Sequence, residues 1–314
     1  VVDTQVAAGD STTITLDISA VDALSAEEEA FIHFIVKQKE KTLWADAGYV
    51  VGEENLPVKT ATKAMYDLGQ LASFEDITVE DNTSTLTLST SKFTAVFNKT
   101  AGYLSSYTYD GVQLITKPLR LNVFRLPTDN DGSKRESWDN MGLRSLTASG
   151  KGVEFEKSAD GKTVNVALNT RYTGKNSTAF DVQMNFLVCA NGVMMVNSFI
   201  KPTSTGAILP KIGFRLEMPA EMEQLTWFGR GPWDSYRDRK EACSPAIYQS
   251  TVTDQYEEYI MPQEHGTKQE VRWMSLTNEE GKGLLFAAPD QMAESAVHFR
   301  PEDNYTDRNN RSKH

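Results

Sequence analysis

The chain has 314 residues, of which 39% are hydrophobic and 24% charged, a composition typical of a globular protein with two or three domains. Its 43 acidic residues outnumber 32 lysines and arginines, and the formal net charge of -11 argues against a nucleic-acid partner. Only two cysteines occur, which excludes a disulfide framework, and no apolar run is long enough to span a membrane.

Alternation of apolar and polar residues with a period of two dominates the chain and predicts antiparallel strands with one solvated face. In chain order, these runs cover residues 11–18, 84–90, 92–98, 152–158 and 162–173. Turn pairs such as Asp110-Gly111 and Asn191-Gly192 lie between runs and predict hairpins. We therefore predict a mainly β protein.

The segment that begins at Ser25 departs from this alternation. Three glutamates follow this serine, as in the first turn of a helix, but the bulky and partly β-branched residues after them favour a strand. We predict a short turn over residues 25–30 followed by a buried strand. The polar stretch after it, which contains Pro57, lacks periodicity and predicts a domain boundary between about Pro57 and Asp81.

Motifs for metal and nucleotide chemistry do not occur in the sequence. The four histidines, His33, His265, His298 and His314, are far apart, and no Cys/His cluster has the spacing of a metal site. A nucleophile elbow, a phosphate-binding loop and a dinucleotide fingerprint are also absent from the sequence. Zinc and nucleotide chemistry are therefore not predicted.

The densest polar signal is Asp129, Asn130 and Asp131, which precede Gly132, with Trp138 further along the same segment. One interpretation is a surface turn, because Asn and Asp bond their own backbone and glycine tolerates positive φ. The other is recognition of a sugar, which needs carboxylate and amide groups beside an exposed flat ring. Two carboxylates this close in sequence do not make a glycosidase pair, which requires carboxyl groups about 5–5.5 Å apart across a bound sugar.

A second signal, "WFGRGPWDSYRDRKEA" at residues 227–242, combines four aromatic residues with charges, two glycines and a proline. It could form a nucleic-acid surface, a platform that stacks on sugars, or a rigid corner between strands. Acidic residues interrupt its basic run, which favours a solvated cluster of ion pairs over a phosphate groove. We predict a corner, set by the glycines and the proline and packed by the aromatic rings.

Three motifs in order, "RLPTDNDGS", "WFGRGPWDSYRDRKEA" and "YIMPQEHGTKQEVRWMSL", carry a resemblance to large bacterial β-galactosidases of glycoside hydrolase family 2. The resemblance covers nearly the whole chain. It implies a large antiparallel β-supersandwich of galactose-mutarotase-like architecture over residues 71–314, truncated at its C-terminal end. Residues 1–70 would be part of an immunoglobulin-like β-sandwich that lacks its first strands, because a full one takes about 100 residues.

For function, the resemblance implies a parent enzyme that hydrolyses terminal β-D-galactosyl residues with retention. The family's two catalytic glutamates lie in a barrel on the N-terminal side of this region, so the chain would be a non-catalytic C-terminal portion that shapes and supports the sugar pocket. The pocket rim would be formed by Asp129, Asn130, Asp131 and Trp138. The structural corner would be formed by Trp227, Gly229, Arg230, Gly231, Pro232, Trp233 and Tyr236. His265 would be a hydrogen-bonded structural residue.

The resemblance also implies partners: galactosides, the catalytic barrel of the parent chain, and further copies in a homo-oligomer. No cofactor or metal is expected in this chain, whereas magnesium or sodium ions are implied for the parent, in the cytoplasm or periplasm of a bacterium. Two alternatives remain open. A mutarotase-like epimerase would need a histidine and a carboxylate at the sugar's anomeric centre, which polarimetry tests. An independent carbohydrate-binding module would bind galactose or lactose in titration calorimetry.

Overall fold

The computed structural model describes residues 6–61, 68, 70–203 and 208–304. The chain separates into two compact units, Val1–Asp67 and Leu68–His314. The stretch 57–81, where the sequence predicts a boundary, includes residues outside the described ranges.

The first unit contains an antiparallel hairpin of strands β1 (Ala30–Lys37) and β2 (Val50–Lys59), with Ile32 opposite Leu56. A turn precedes β1, so this part of the prediction is confirmed. The predicted burial of the strand is wrong, since Val36 is 62% exposed. The physical reason is that the described part of this unit has no second layer to cover the hairpin. The predicted strand over residues 11–18 is also wrong, because that segment has no strand partner among the described residues.

The described part of the second unit contains three antiparallel sheets and two short α-helices. Its strands are β3 (Thr78–Asp81), β4 (Thr85–Ser89), β5 (Phe93–Asn98), β6 (Tyr103–Tyr109), β7 (Val112–Ile115), β8 (Lys117–Asn122), β9 (Thr147–Lys157), β10 (Thr163–Thr173), β11 (Ala179–Cys189), β12 (Met194–Pro202), β13 (Gly213–Glu217), β14 (Gln224–Gly231), β15 (Ser244–Thr251), β16 (Lys268–Thr277) and β17 (Gly283–Glu294). The helices are α1 (Lys134–Met141) and α2 (Pro301–Asn304).

A seven-stranded sheet in the order β13-β8-β6-β5-β4-β3, with β7 on β6, shares a hydrophobic core with the four-stranded sheet β12-β11-β10-β9. Alternate residues of the strands point into this core, as in β5, where Phe93, Ala95 and Phe97 are buried. The ring of Phe97 meets that of Phe186 from the other sheet at 5.2 Å between centroids. The prediction of a mainly β, sandwich-like protein is thereby confirmed.

The third sheet, in the order β15-β14-β16-β17, has a smaller core of Leu225, Trp227, Val271 and Met274. Burial alternates along β14, so that Leu225, Trp227, Gly229 and Gly231 face inward. The second and third sequence motifs supply β14 and β16, and the site described below lies around the ends of these two strands.

Candidate functional site

The three sequence motifs, which lie far apart along the chain, meet in the folded second unit. We call them the acidic motif (125–133), the corner motif (227–242) and the strand motif (259–276). Strand β14 of the corner motif pairs with β16 of the strand motif, where Trp227 lies opposite Met274. The strand motif also reaches the acidic motif, because the Glu264 carboxylate accepts a hydrogen bond from the Leu126 amide at 3.2 Å.

Buried polar side chains concentrate at this meeting point. Ten polar or charged residues are buried in the described part of the chain, and six belong to the three motifs: Asp131, Ser235, Glu264, His265, Thr267 and Lys268. Burying a polar group costs free energy unless hydrogen bonds compensate, so such a cluster indicates a region whose geometry is held closely. We take this cluster as the framework of the candidate site.

The acidic motif is fixed by an internal ion pair between Arg125 and Asp131. The guanidinium donates to both carboxylate oxygens of Asp131, at 2.7 and 2.9 Å, and the Thr128 amide donates to the same carboxylate at 2.6 Å. Burial alone would raise the pKa of Asp131, but the bonds from Arg125 and Thr128 outweigh it and hold that pKa below its ordinary value. Asp131 is therefore a structural anion.

Two residues predicted at the pocket rim are buried instead, so this part of the prediction is wrong. Trp138 lies on α1 and is only 3% exposed, because its ring packs under the Arg125 guanidinium and its Nε1 donates to the Ile208 carbonyl at 3.0 Å. Asp131 is 8% exposed and occupied by the bonds described above. Asp129 and Asn130, which precede Asp131 on the same short 3₁₀ turn, remain exposed and are available to a ligand.

Glu264 and Lys211 complete the support of the acidic motif. Lys211 lies 3.3 Å from the second oxygen of Glu264, and the neighbouring Pro210 carbonyl accepts a bond from Arg125 Nε at 3.3 Å. The sequence does not predict the roles of Glu264 and Lys211, because no local pattern links them to each other or to Leu126. One signal was present: Arg125 stands between Phe124 and Leu126 at the end of an apolar run, as expected of a paired buried charge.

The corner motif differs from its prediction in two places. Gly229 lies inside strand β14, where an added Cβ would come within 2.9 Å of the Val271 backbone, so it permits close approach of strands and does not form the corner. The chain leaves the sheet only after Gly231, at Pro232. Trp233 follows this exit and is 64% exposed, so its predicted packing into the corner is wrong.

Trp227, by contrast, is the packed aromatic residue of the motif. It is 1% exposed, stacks on Tyr248 at 5.3 Å between ring centroids and donates its Nε1–H to the Arg230 carbonyl at 3.0 Å. The ammonium of Lys268 lies 5.0 Å from the indole centroid and donates to the Pro232 carbonyl at 3.1 Å. Burial lowers the pKa of Lys268 to about 8.

Ion pairs surround the corner. Arg230 contacts Glu270 at 2.7 Å, and Lys240 pairs with the other oxygen of Glu270. Arg239 donates to Asp234 at 2.6 Å and lies 5.5 Å from the half-buried ring of Tyr236. The contacts of Arg230 and Lys240 with Glu270 join the corner motif to β16.

His265 sits in an aromatic enclosure next to Glu264. Its Nδ1 lies 2.9 Å from the Gln263 carbonyl, and the rings of Tyr256 and Phe299 lie 5.3 and 5.4 Å from the imidazole between centroids. Within the described ranges, its buried Nε2 has no hydrogen-bond partner. This environment gives the imidazole a packing role beside the site.

The residues that the structure describes contain neither a metal-binding cluster nor a membrane-spanning helix. No three His, Cys, Asp or Glu side chains there come together in a way that could hold a metal ion. The magnesium or sodium ions implied for the parent enzyme are not assigned to any of the described residues. None of the described helices has the length and apolar character needed to cross a membrane.

Comparison with protein families gives two matches that together cover most of the chain. The family model described as "Beta galactosidase small chain" matches residues 89–312. A second, described as "Beta-galactosidase, domain 4", matches residues 1–59. The first match contains all three motifs, and the second falls within the first compact unit.

Curated relatives give the same result. A β-galactosidase of Priestia megaterium is 31% identical over 292 residues, which is 92% of this chain and 27% of the relative. A β-galactosidase of Lactobacillus delbrueckii subsp. bulgaricus is 29% identical over 255 residues, or 80% of this chain and 24% of the relative. The chain thus spans about a quarter of the length of the curated relatives it matches.

Proposed function

The chain belongs to the β-galactosidase small-chain family, and from this premise we propose that it is a non-catalytic region of a β-galactosidase that shapes the galactoside pocket. The whole enzyme would hydrolyse terminal β-D-galactosyl residues with retention. Asp129 and Asn130 would lie at the pocket rim, while the chemistry would be carried by two glutamates of a catalytic barrel outside this sequence.

The observation that carries this proposal is the way in which the exposed turn is supported. Asp129 and Asn130 present a carboxylate and an amide, groups that bond sugar hydroxyls. The backbone just before their turn is fixed, because the Leu126 and Thr128 amides donate to Glu264 and Asp131. Because the support is already in place before a ligand arrives, little ordering entropy would be lost on binding. This buried ionic framework fixes the backbone that carries the two exposed side chains.

Four large aliphatic side chains close in sequence to Lys211 or Glu264 are exposed and support the proposed partner. Ile260 is 99% exposed and Met261 45%, both close in sequence to Glu264, while Ile208 and Ile212 are 69% and 58% exposed on either side of Lys211. Large exposed aliphatic side chains are typical of surfaces that another element covers. We propose that the catalytic barrel of the same enzyme is this element, in an enzyme that forms a homo-oligomer.

The chain alone is expected not to hydrolyse a chromogenic β-galactoside above the uncatalysed rate. Retaining hydrolysis requires an acid/base and a nucleophile about 5–5.5 Å apart across the sugar, and we assign neither role to a residue of this chain. The measurement is release of nitrophenol by the purified chain, with the whole enzyme as positive control. Turnover that a galactose-like inhibitor abolishes would contradict the proposal.

In the whole enzyme, Asp129→Ala and Asn130→Ala are each expected to change KM or kcat for a β-galactoside several-fold, because each removes a polar group at the pocket rim. Both side chains are exposed, so the melting temperature should stay unchanged. Steady-state kinetics with matched thermal melts measure both quantities. Kinetic constants equal to those of the unmodified enzyme for both variants would make the segment a simple surface turn.

A further inference from the structure

The acidic motif is held from two directions by different parts of the chain. From within the motif, Arg125 binds Asp131 and also donates to the Leu126 carbonyl at 3.0 Å. From the strand motif, 138 positions away, Glu264 binds the Leu126 amide. The peptide groups on both sides of Leu126 are therefore fixed immediately before the turn that carries Asp129.

Burying the carboxylate of Glu264 at this location costs free energy. It is 9% exposed, and both of its carboxylate oxygens are used, one by the Leu126 amide and the other by Lys211. A buried ion pair is weak evidence for stability, because a well-packed apolar residue often serves as well or better. A carboxylate at this position does supply what an apolar side chain cannot, a directional bond to one backbone amide.

We propose that Glu264 is a positioning residue that sets the place of the acidic motif, and with it Asp129 and Asn130, relative to the strand motif. This inference rests on the proposed function, in which these two side chains line the galactoside pocket. Glu264 does not contact sugar in this scheme. It acts through the Leu126 backbone, three residues before Asp129 and four before Asn130.

The position of such a turn matters because an error of about 1 Å at a binding group can lower a rate by about 10²-fold. Lys211 contributes by holding the second carboxylate oxygen from the segment that also supplies the Pro210 and Ile208 carbonyls to the framework. The segment at 208–212, the acidic motif and the strand motif thus share one charged junction centred on Glu264.

Hydrogen exchange on the full chain tests the junction without any enzyme assay. Glu264→Gln keeps the side-chain volume and one acceptor oxygen but loses the charge, so its bond to the Leu126 amide is weaker, and exchange at that amide is expected to speed up about tenfold or more. Glu270→Gln is the matched control, since Glu270 is half-buried and, like Glu264, ion-paired, but with Arg230 and Lys240 of the corner motif. It should leave Leu126 exchange unchanged.

Lys211→Met provides a second variant at a partly exposed position. It removes the ion pair but retains the carboxylate, so a smaller increase in exchange at Leu126 is expected. If Glu264→Gln folds and the Leu126 amide exchanges as slowly as in the unmodified chain, Glu264 does not position the motif. Equal increases in the Glu264→Gln and Glu270→Gln variants would also overturn the proposal, because they would indicate general loosening.

The functional part is tested by a double-mutant cycle in the whole enzyme. Glu264→Gln should lower kcat/KM several-fold, and it should cause no further loss when Asp129→Ala and Asn130→Ala are already present, because its effect passes through these residues. Full additivity would overturn the positioning role. Faster exchange at Leu126 with unchanged kinetics in every variant would instead support the structural role of Glu264 and refute the proposed function.

Discussion

Replacing Trp227 by alanine is expected to lower the free energy of unfolding of the second unit by about 3–5 kcal/mol, the usual cost of deleting a large buried aromatic side chain. The indole is almost fully buried, stacks on Tyr248 and lies under the Lys268 ammonium, so the variant also leaves a buried lysine without its aromatic partner. Urea-induced unfolding of the full chain gives the free energy directly.

Trp233→Ala is the matched control, because it removes the same side chain six residues further along the same motif. With 64% of Trp233 exposed, this change should stay within about 0.5 kcal/mol. A large loss for Trp233→Ala, or a loss below about 1 kcal/mol for Trp227→Ala, would show that the corner packs differently from the arrangement described here.

Asp131→Ala is expected to cost about 3 kcal/mol, at the low end of the range for breaking a buried ion pair, because Arg125 retains some contact with solvent. The variant leaves the guanidinium without its carboxylate and the Thr128 amide without its acceptor. Asp129→Ala removes an exposed carboxylate from the same turn and should stay within about 0.5 kcal/mol. Similar losses of unfolding free energy in the two variants would contradict the assignment of Asp131 as a structural anion and Asp129 as an exposed side chain.

The same ion pair gives a pH dependence whose sign follows from the lowered pKa of Asp131. A carboxyl group with a lower pKa in the folded state contributes stability above its ordinary value of 3.8, and that contribution is lost as the pH falls through the folded value. Unfolding of the unmodified chain should therefore become easier below about pH 4, and Asp131→Asn should weaken this dependence. An identical acid response in the Asn variant would exclude the ion pair as its source.

The two tryptophans show how far the sequence predicts the corner. Both tryptophans are predicted to pack the corner, but only Trp227 does so, in the inward row of β14 with Leu225, Gly229 and Gly231. Trp233 would be the next inward position if the strand continued, but β14 ends at Gly231 and Trp233 is exposed. Strand ends depend on where pairing with β15 and β16 stops, and this long-range property has no strong local signal.

The acidic motif shows a different limit. Its Asp, Asn and Gly residues correctly indicate a turn, but the sequence pattern treats Asp129 and Asp131 alike, whereas one is exposed and the other is buried. The difference arises from Arg125, six positions earlier, and the whole segment is completed by Glu264, 138 positions from Leu126. Partners at such separations are fixed by the packing of the sheets.

The first unit shows the same dependence on partners. Residues 11–18 alternate as regularly as β4 or β5, yet they form no strand, because a strand needs hydrogen bonds from a neighbour as well as two distinct faces. In the second unit, the alternating runs at 84–90, 92–98, 152–158 and 162–173 each find such a neighbour. Periodicity therefore predicts strands reliably only where the rest of a sheet is present.

The most direct test of the proposed function is a crystal structure of the whole β-galactosidase with a bound galactoside, in which one distance is measured. This is the separation between the sugar hydroxyls and the side chains of Asp129 and Asn130. We expect at least one of them within about 3.2 Å of a hydroxyl, or joined to it through a single ordered water. A sugar seated in the pocket with both side chains more than about 8 Å away, beyond the reach of one bridging water, would contradict the proposal that this chain shapes the galactoside pocket.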